Sequence, residues 1–156
     1  MQDHHVGRFS TDFVSVKSPK SGVWDHYAIE VNLHKGGTTH PFSTLKFLTD
    51  GTYDTTTGLF YTPSEKEKYY YASDTLHSEH YKGLSPDDLI NIAVYHGLHF
   101  HGATERGVVF HLMGALSEFG KLGLVCIGDN PQQAMFLYNK TVGVLNQEAA
   151  RLRESM

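Results

Sequence analysis

Residues 24–37 read WDHYAIEVNLHKGG, and the fold is decided there. Tyr27, Ile29, Val31 and Leu33 fall on alternate positions, with Ala28, Glu30 and Asn32 between them. A period of two is that of a β-strand with one face turned to a core. Upstream, residues 8–17 (RFSTDFVSVK) interleave polar positions with β-formers. The link SPKSGV (18–23) contains Pro19 and Gly22, both turn residues. The two segments are therefore expected to form a hairpin with a longer loop. A turn centred near Ser21 sets Asp12 opposite Glu30. Asn32, two positions on, shares the face of Glu30. Directly opposed Cβ atoms lie ~4.5–5.5 Å apart, so two carboxylates and an amide oxygen meet on one sheet face. Carboxylates that close repel each other, and a divalent cation relieves the repulsion. An all-oxygen donor set suits Mg²⁺ or Mn²⁺. A register slip of one residue would undo the pairing. Spacing alone also fits an ordinary solvated hairpin face.

Past the strand comes Lys35-Gly36-Gly37-Thr38-Thr39-His40. Glycines let backbone N–H groups turn toward an anion, and Lys35 adds a fixed positive charge. Metal ligands followed at once by an anion loop are what a nucleotide triphosphate needs. The bland alternative is a simple Gly-Gly turn.

Further along, Phe42, Leu45 and Leu48 recur at helical spacing and Gly51 marks a stop. Residues 50–68 form a polar excursion with turn signals at Asp50-Gly51 and Thr57-Gly58. Residues 69–76 read as a strand, with the three consecutive tyrosines half-buried in it. Ser85-Pro86-Asp87-Asp88 opens a helix that ends at Gly97. Strands follow at 107–113 and 122–127, with Glu118 and Lys121 in a hairpin turn between them. A long helix then starts at Asp129-Asn130-Pro131. Its apolar face is Ala134, Leu137, Tyr138, Thr141, Val142 and Leu145. The expected class is α+β: a hairpin piece over 1–50, then a small β-α-β-β-α domain over 51–156.

With 13 basic against 17 acidic residues, the net charge of −4 argues against a nucleic-acid partner. The first thirteen residues, MQDHHVGRFSTDF, lack the basic start and apolar run of a secretory signal, and no apolar stretch approaches the ~20 residues of a membrane span. A cytoplasmic location is expected. The lone Cys126, inside the apolar run LGLVCIG, excludes an internal disulfide and reads as a core residue.

The string D-F-V…A-I-E-V-N-L-H-K-G-G-T-T-H-P resembles the C-terminal end of the ATP-grasp fold. The wider text, including FLTDGTYD, SPDDLINIAVYHGLHF, GVVFHLMGALSEFGKLGL and IGDNPQQA, is similar to the pheganomycin-type peptide ligases and their carboxylate–amine ligase relatives. The likeness covers nearly the whole chain. It implies an ATP- and Mg²⁺-dependent ligation through an acyl phosphate, joining a small-molecule carboxylate to an amine or peptide. It implies that Asp12, Glu30 and Asn32 hold the metal, with Glu30 able to bridge two ions. Lys35 and the amides of Gly36 and Gly37 would face the γ-phosphate or the acyl-phosphate oxyanion, with Thr38 and Thr39 in the same loop at the nucleotide. Many ATP-grasp members carry arginine where this chain has His34. Lys35 and Arg8, which shares the strand parity of Asp12, are the compensating cations. The nucleotide-gripping lysines and glycine-rich lid of that fold lie upstream of the metal strands, and no G-x-x-x-x-G-K-[ST] or G-x-G-x-x-G replaces them here. The resemblance thus implies the C-terminal part of a ligase, inactive alone, with an upstream nucleotide-binding half or self-association as partner. The alternative is a non-catalytic binding or regulatory module derived from the same fold.

Eleven histidines raise zinc as a competitor. His99, His101 and His111, or the pair His77 and His80, are its candidate ligands. His111 is otherwise a candidate for the substrate side of the cleft.

Overall fold

The computed structural model describes residues 9–33 and 35–154. The fold class is α+β, and the chain divides into two compact units, Met1–His40 and Pro41–Met156.

The first unit is a hairpin of β1 (Ser10–Lys17) and β2 (Trp24–Asn32), followed by a loop. Its turn closes through Ser18 N–H to the Val23 carbonyl at 2.8 Å and Gly22 N–H to the Ser18 carbonyl at 3.0 Å. Gly22 takes φ +69°, a left-handed value that glycine adopts without steric cost. The strands are antiparallel, with Ser10 opposite Asn32, Thr11 opposite Val31 and Asp12 opposite Glu30. Register then shifts, so that Phe13 faces Ala28 and Val14 faces Tyr27, which leaves Ile29 as an extra residue in β2. A bulge of this kind breaks the alternation. Strand parity now puts Tyr27 with Val14 on the face of Asp12 and Glu30, and Ala28 with Phe13 on the other. This corrects the simple alternation expected over 27–33. On that second face Ser15 Oγ meets His26 Nδ1 at 2.7 Å.

In the second unit, β5 (Tyr69–His77), β6 (Gly107–His111) and β7 (Lys121–Gly128) form an antiparallel sheet in the order β5-β7-β6. Every residue of the middle strand except Lys121 is buried. Its side chains feed both faces. Val125 and Ile127 pack with Leu45, Phe42 and Leu48 of α1 (Thr39–Thr49) and with Phe60. Leu124 and Cys126 pack with Val108 and with Leu137 and Tyr138 of α4 (Pro131–Glu154). A larger cluster joins Leu122, Tyr81 and Leu116 to Leu89 and Ala93 of α2 (Pro86–Tyr95) and to Leu145 and Ala149 of α4. Phe42, Leu45 and Leu48 are core residues, as their spacing suggests. No helix among the described residues is long and apolar enough to cross a membrane.

Helix α2 starts as its sequence dictates. Ser85 Oγ accepts from Asp88 N–H at 3.1 Å and the Asp88 carboxylate accepts from Ser85 N–H at 2.8 Å, a closed capping box with Pro86 in the first turn. These bonds to Ser85 hold the Asp88 carboxyl below its usual range. Ser85→Ala is expected to cost about 1 kcal/mol in urea denaturation. An unchanged midpoint would show the cap to be idle.

Two local expectations need correction. The polar excursion contains a small hairpin, β3 (Thr52–Asp54) and β4 (Leu59–Tyr61), closed by Gly58 N–H to the Asp54 carbonyl at 2.9 Å. The link from β6 to β7 is helical: a 3-10 turn at Met113–Ala115 runs into α3 (Leu116–Phe119), which ends at Gly120 with φ +63°. Glu118 lies in α3 and Lys121 opens β7, so the connection between these antiparallel neighbours is helical rather than a tight turn. Leucine, serine, glutamate and phenylalanine tolerate helical geometry there, and Gly120 supplies the left-handed stop.

Candidate functional site

Hairpin register brings the acidic face together. Asp12 lies directly across from Glu30, and Ser10 directly across from Asn32, one pleat along on the same face. Asp12 and Glu30 are exposed, whereas Ser10 and Asn32 are half-buried. Two carboxylates and two neutral oxygen donors therefore line one face of the first unit. The two carboxylates and the Asn32 amide fit a hard divalent cation, which takes such oxygens and keeps some of its water, while the Ser10 hydroxyl stands beside them.

The loop that follows folds back on itself. Gly36 N–H donates to Thr39 Oγ1 at 3.1 Å, and Thr39 N–H donates to the Gly36 carbonyl at 2.9 Å. This ring sits at the start of α1. The Gly36 amide, expected to face a phosphate, is thus already used by Thr39, whose hydroxyl oxygen accepts it. Gly37 stands in open space, where a Cβ would meet nothing within 4 Å. Lys35 and Thr38 are exposed beside it. Arg8 and His34 lie outside the described residues. The hairpin also exposes Phe13, Trp24, Ile29 and Val31.

A second charged cluster, in the other unit, was not legible in the sequence. The Lys68 side chain is 1% exposed. Its Nζ donates to the carbonyls of Thr104 (3.1 Å) and Glu105 (3.0 Å) and to Asp129 Oδ1 (2.8 Å). Arg106 pairs with the other oxygen of Asp129. Burial works to raise the Asp129 pKa, but the bonds and charges of Lys68 and Arg106 outweigh it and hold the carboxyl below its usual range. All three ammonium protons have partners, so the cluster reads as a structural lock and not as a binding site.

Residues 88–141 match the family described as the PGM1 C-terminal domain. No curated protein and no solved structure matches the chain. The matched stretch, about a third of the chain, runs from the first turn of α2 through β6 and β7 into α4. It takes in Glu105, Arg106 and Asp129 of the buried cluster and leaves out the hairpin with its acidic face.

Of the histidines within this stretch, His96 ends α2 and its Nε2 meets Glu148 Oε1 of α4 at 2.8 Å, and the other three lie at the sheet. His99 bridges to Val108 and His101 to Arg106 by backbone pairing. The His111 ring lies over the backbone of Gly123, with Nδ1 2.5 Å from where a Cβ would stand. Only glycine admits the imidazole at that point, which makes the ring part of the packing on β7. Among the described residues no three His, Cys, Asp or Glu side chains converge as a metal site. Burial pushes the Cys126 thiol up to about 12, far from the range of a nucleophile.

Proposed function

We propose that this chain supplies the metal- and anion-binding part of an ATP-dependent carboxylate–amine ligase, one that makes a peptide or amide bond through an acyl phosphate. The observation that carries the reading is the register that sets Asp12 against Glu30, with Asn32 on the same face and the Lys35–Thr39 loop following it. The match over 88–141 names a domain and no activity, so the ligase reading of the chain rests on the hairpin and on the resemblance of its sequence.

In the proposed reaction an oxygen of the substrate carboxylate attacks the γ-phosphorus, and ADP leaves. The amine then attacks the acyl carbon, loses a proton and expels inorganic phosphate. Asp12, Glu30 and Asn32 would hold Mg²⁺, or Mn²⁺ in its place, which neutralises polyphosphate charge when bound. Lys35 and the Gly37 amide face the transferring group from the loop. Thr39 keeps the loop closed. The proposed setting is cytoplasmic, with a small carboxylate and an amine or peptide as substrates, no nucleic acid, and either a nucleotide-binding partner or a second copy against the exposed apolar hairpin.

One observation favours a second reading. With the Gly36 amide engaged by Thr39, the loop offers fewer donors to a phosphate, as suits a non-catalytic binding or regulatory module. Mn²⁺ titration followed by electron paramagnetic resonance separates the two. The wild-type chain is expected to bind Mn²⁺. Asp12→Asn and Glu30→Gln should each weaken that binding by at least about tenfold, since even changes behind a metal's direct ligands cost that much. A wild-type chain that leaves Mn²⁺ free in solution would sink the ligase reading and support the module. The chain alone is expected to turn over no ATP.

A further inference from the structure

We infer that Ser10 is a binding residue of this site, its hydroxyl donating to the anion carried by the metal. The inference rests on the metal-and-anion reading above and adds a residue to it.

Ser10 occupies the junction between the two halves of the site. It stands directly across from Asn32 and two positions from Asp12, so its side chain shares the face of the proposed metal ligands. It also lies on the side of Gly36 where a side chain would project: a Cβ built there would stand 4.0 Å from Ser10 Oγ. Among the described residues no other side chain comes within 4 Å of that position, the neighbours of Gly36 in sequence aside. Ser10, Asn32, Gly36 and Thr39 are all half-buried, while Asp12, Glu30 and Lys35 are exposed. The loop therefore comes down on the Ser10–Asn32 end of the acidic face.

Chemistry then selects the role. Gly36 N–H is used by Thr39 Oγ1, which removes one donor from the loop at the place where the loop meets the acidic face. A serine hydroxyl carries one donor hydrogen and rotates freely to aim it. An anion bound to a cation on Asp12, Glu30 and Asn32 needs donors beside the carboxylates to balance its remaining charge. Ser10 is the donor that the register places on that face, at the end nearest the loop. The ligand class this fits is a cation-bound polyphosphate, the reactive end of a nucleoside triphosphate.

The test uses the full chain, Mn²⁺, and inorganic tripolyphosphate. Binding of Mn²⁺ alone and of the Mn²⁺–tripolyphosphate complex is measured for wild type, Ser10→Ala, Ser10→Thr and Asp12→Asn. Circular dichroism is recorded for each to establish that the hairpin signal is kept. Ser10→Ala should bind Mn²⁺ within twofold of wild type but lose about tenfold for the complex, the usual loss for one hydrogen bond to a charged oxygen. Ser10→Thr, which keeps the hydroxyl, should restore it. Asp12→Asn should lose both. Equal affinity of Ser10→Ala and wild type for the complex overturns the role of Ser10 while the metal reading stands. Failure of the wild-type chain to bind Mn²⁺ at all removes the metal reading and this inference with it.

Discussion

Replacing Asp129 with alanine is expected to cost about 3–5 kcal/mol of folding free energy, the range for leaving one member of a buried ion pair unmatched. The Lys68 side chain is 1% exposed and its shortest bond, 2.8 Å, goes to Asp129 Oδ1. Without that carboxylate, the ammonium keeps two backbone carbonyls and a Glu105 oxygen 3.8 Å away, too little to balance a desolvated charge. The double variant Lys68→Met with Asp129→Ala should recover most of the loss, because an apolar side chain of similar length needs no counter-charge. Acid tests the same pair. The Asp129 carboxyl sits below its usual range in the fold, so the stability it contributes is complete above the unfolded-state value of ~3.9 and is lost as pH falls through the folded value. Urea denaturation should therefore show a wide gap between wild type and Asp129→Ala at pH 7 that narrows at pH 3. A gap of the same size at both pH values would show that the ionised carboxylate is not what holds Lys68.

Gly107→Ala is expected to be comparably severe, roughly 2–5 kcal/mol from the strained dihedral and the overpacking together. Gly107 opens β6 at φ +131°, a region open only to glycine without strain. A Cβ there would overlap the His99 carbonyl oxygen and come within 2.5 Å of the Phe100 Cα. Both obstacles are backbone, and the same segment is pinned by Val108 N–H to the Leu98 carbonyl at 2.8 Å and Phe100 N–H to the Val108 carbonyl at 3.1 Å. Neither can yield without breaking that pairing. Gly102→Ala is the control, since a Cβ at Gly102 meets nothing within 4 Å. Thermal melting that fails to separate the two variants would refute the argument.

Legibility in the sequence followed the range of the interactions. Helix α2 was readable to its first residue because a capping box is written in four adjacent letters. The hairpin was readable because strand parity and a turn fix register within about twenty residues, and Asp12 does stand across from Glu30. The bulge at Ile29 escaped notice because no glycine or proline marks it. Strands β3 and β4, three residues each, are too short to show a period. Lys68 closes a polar stretch that reads as solvated. Its partners lie 36, 37 and 61 residues away, so nothing local announces its burial. At the candidate site the acidic face came from counting, whereas the closure of Gly36 on Thr39 did not. A threonine beside two glycines reads equally as a phosphate contact and as a helix-start acceptor. Ser10 was hidden by the same logic, because its importance lies in what folds onto it.

Strand β7 runs between β5 and β6, although it is made after both. The outer strands are not neighbours, so as the polypeptide leaves the ribosome two finished segments wait, the edges that will face β7 answered by water, until residues 121–128 arrive and complete both ladders in one insertion. Of the three strands in this sheet, the last one made is the one on which both others close.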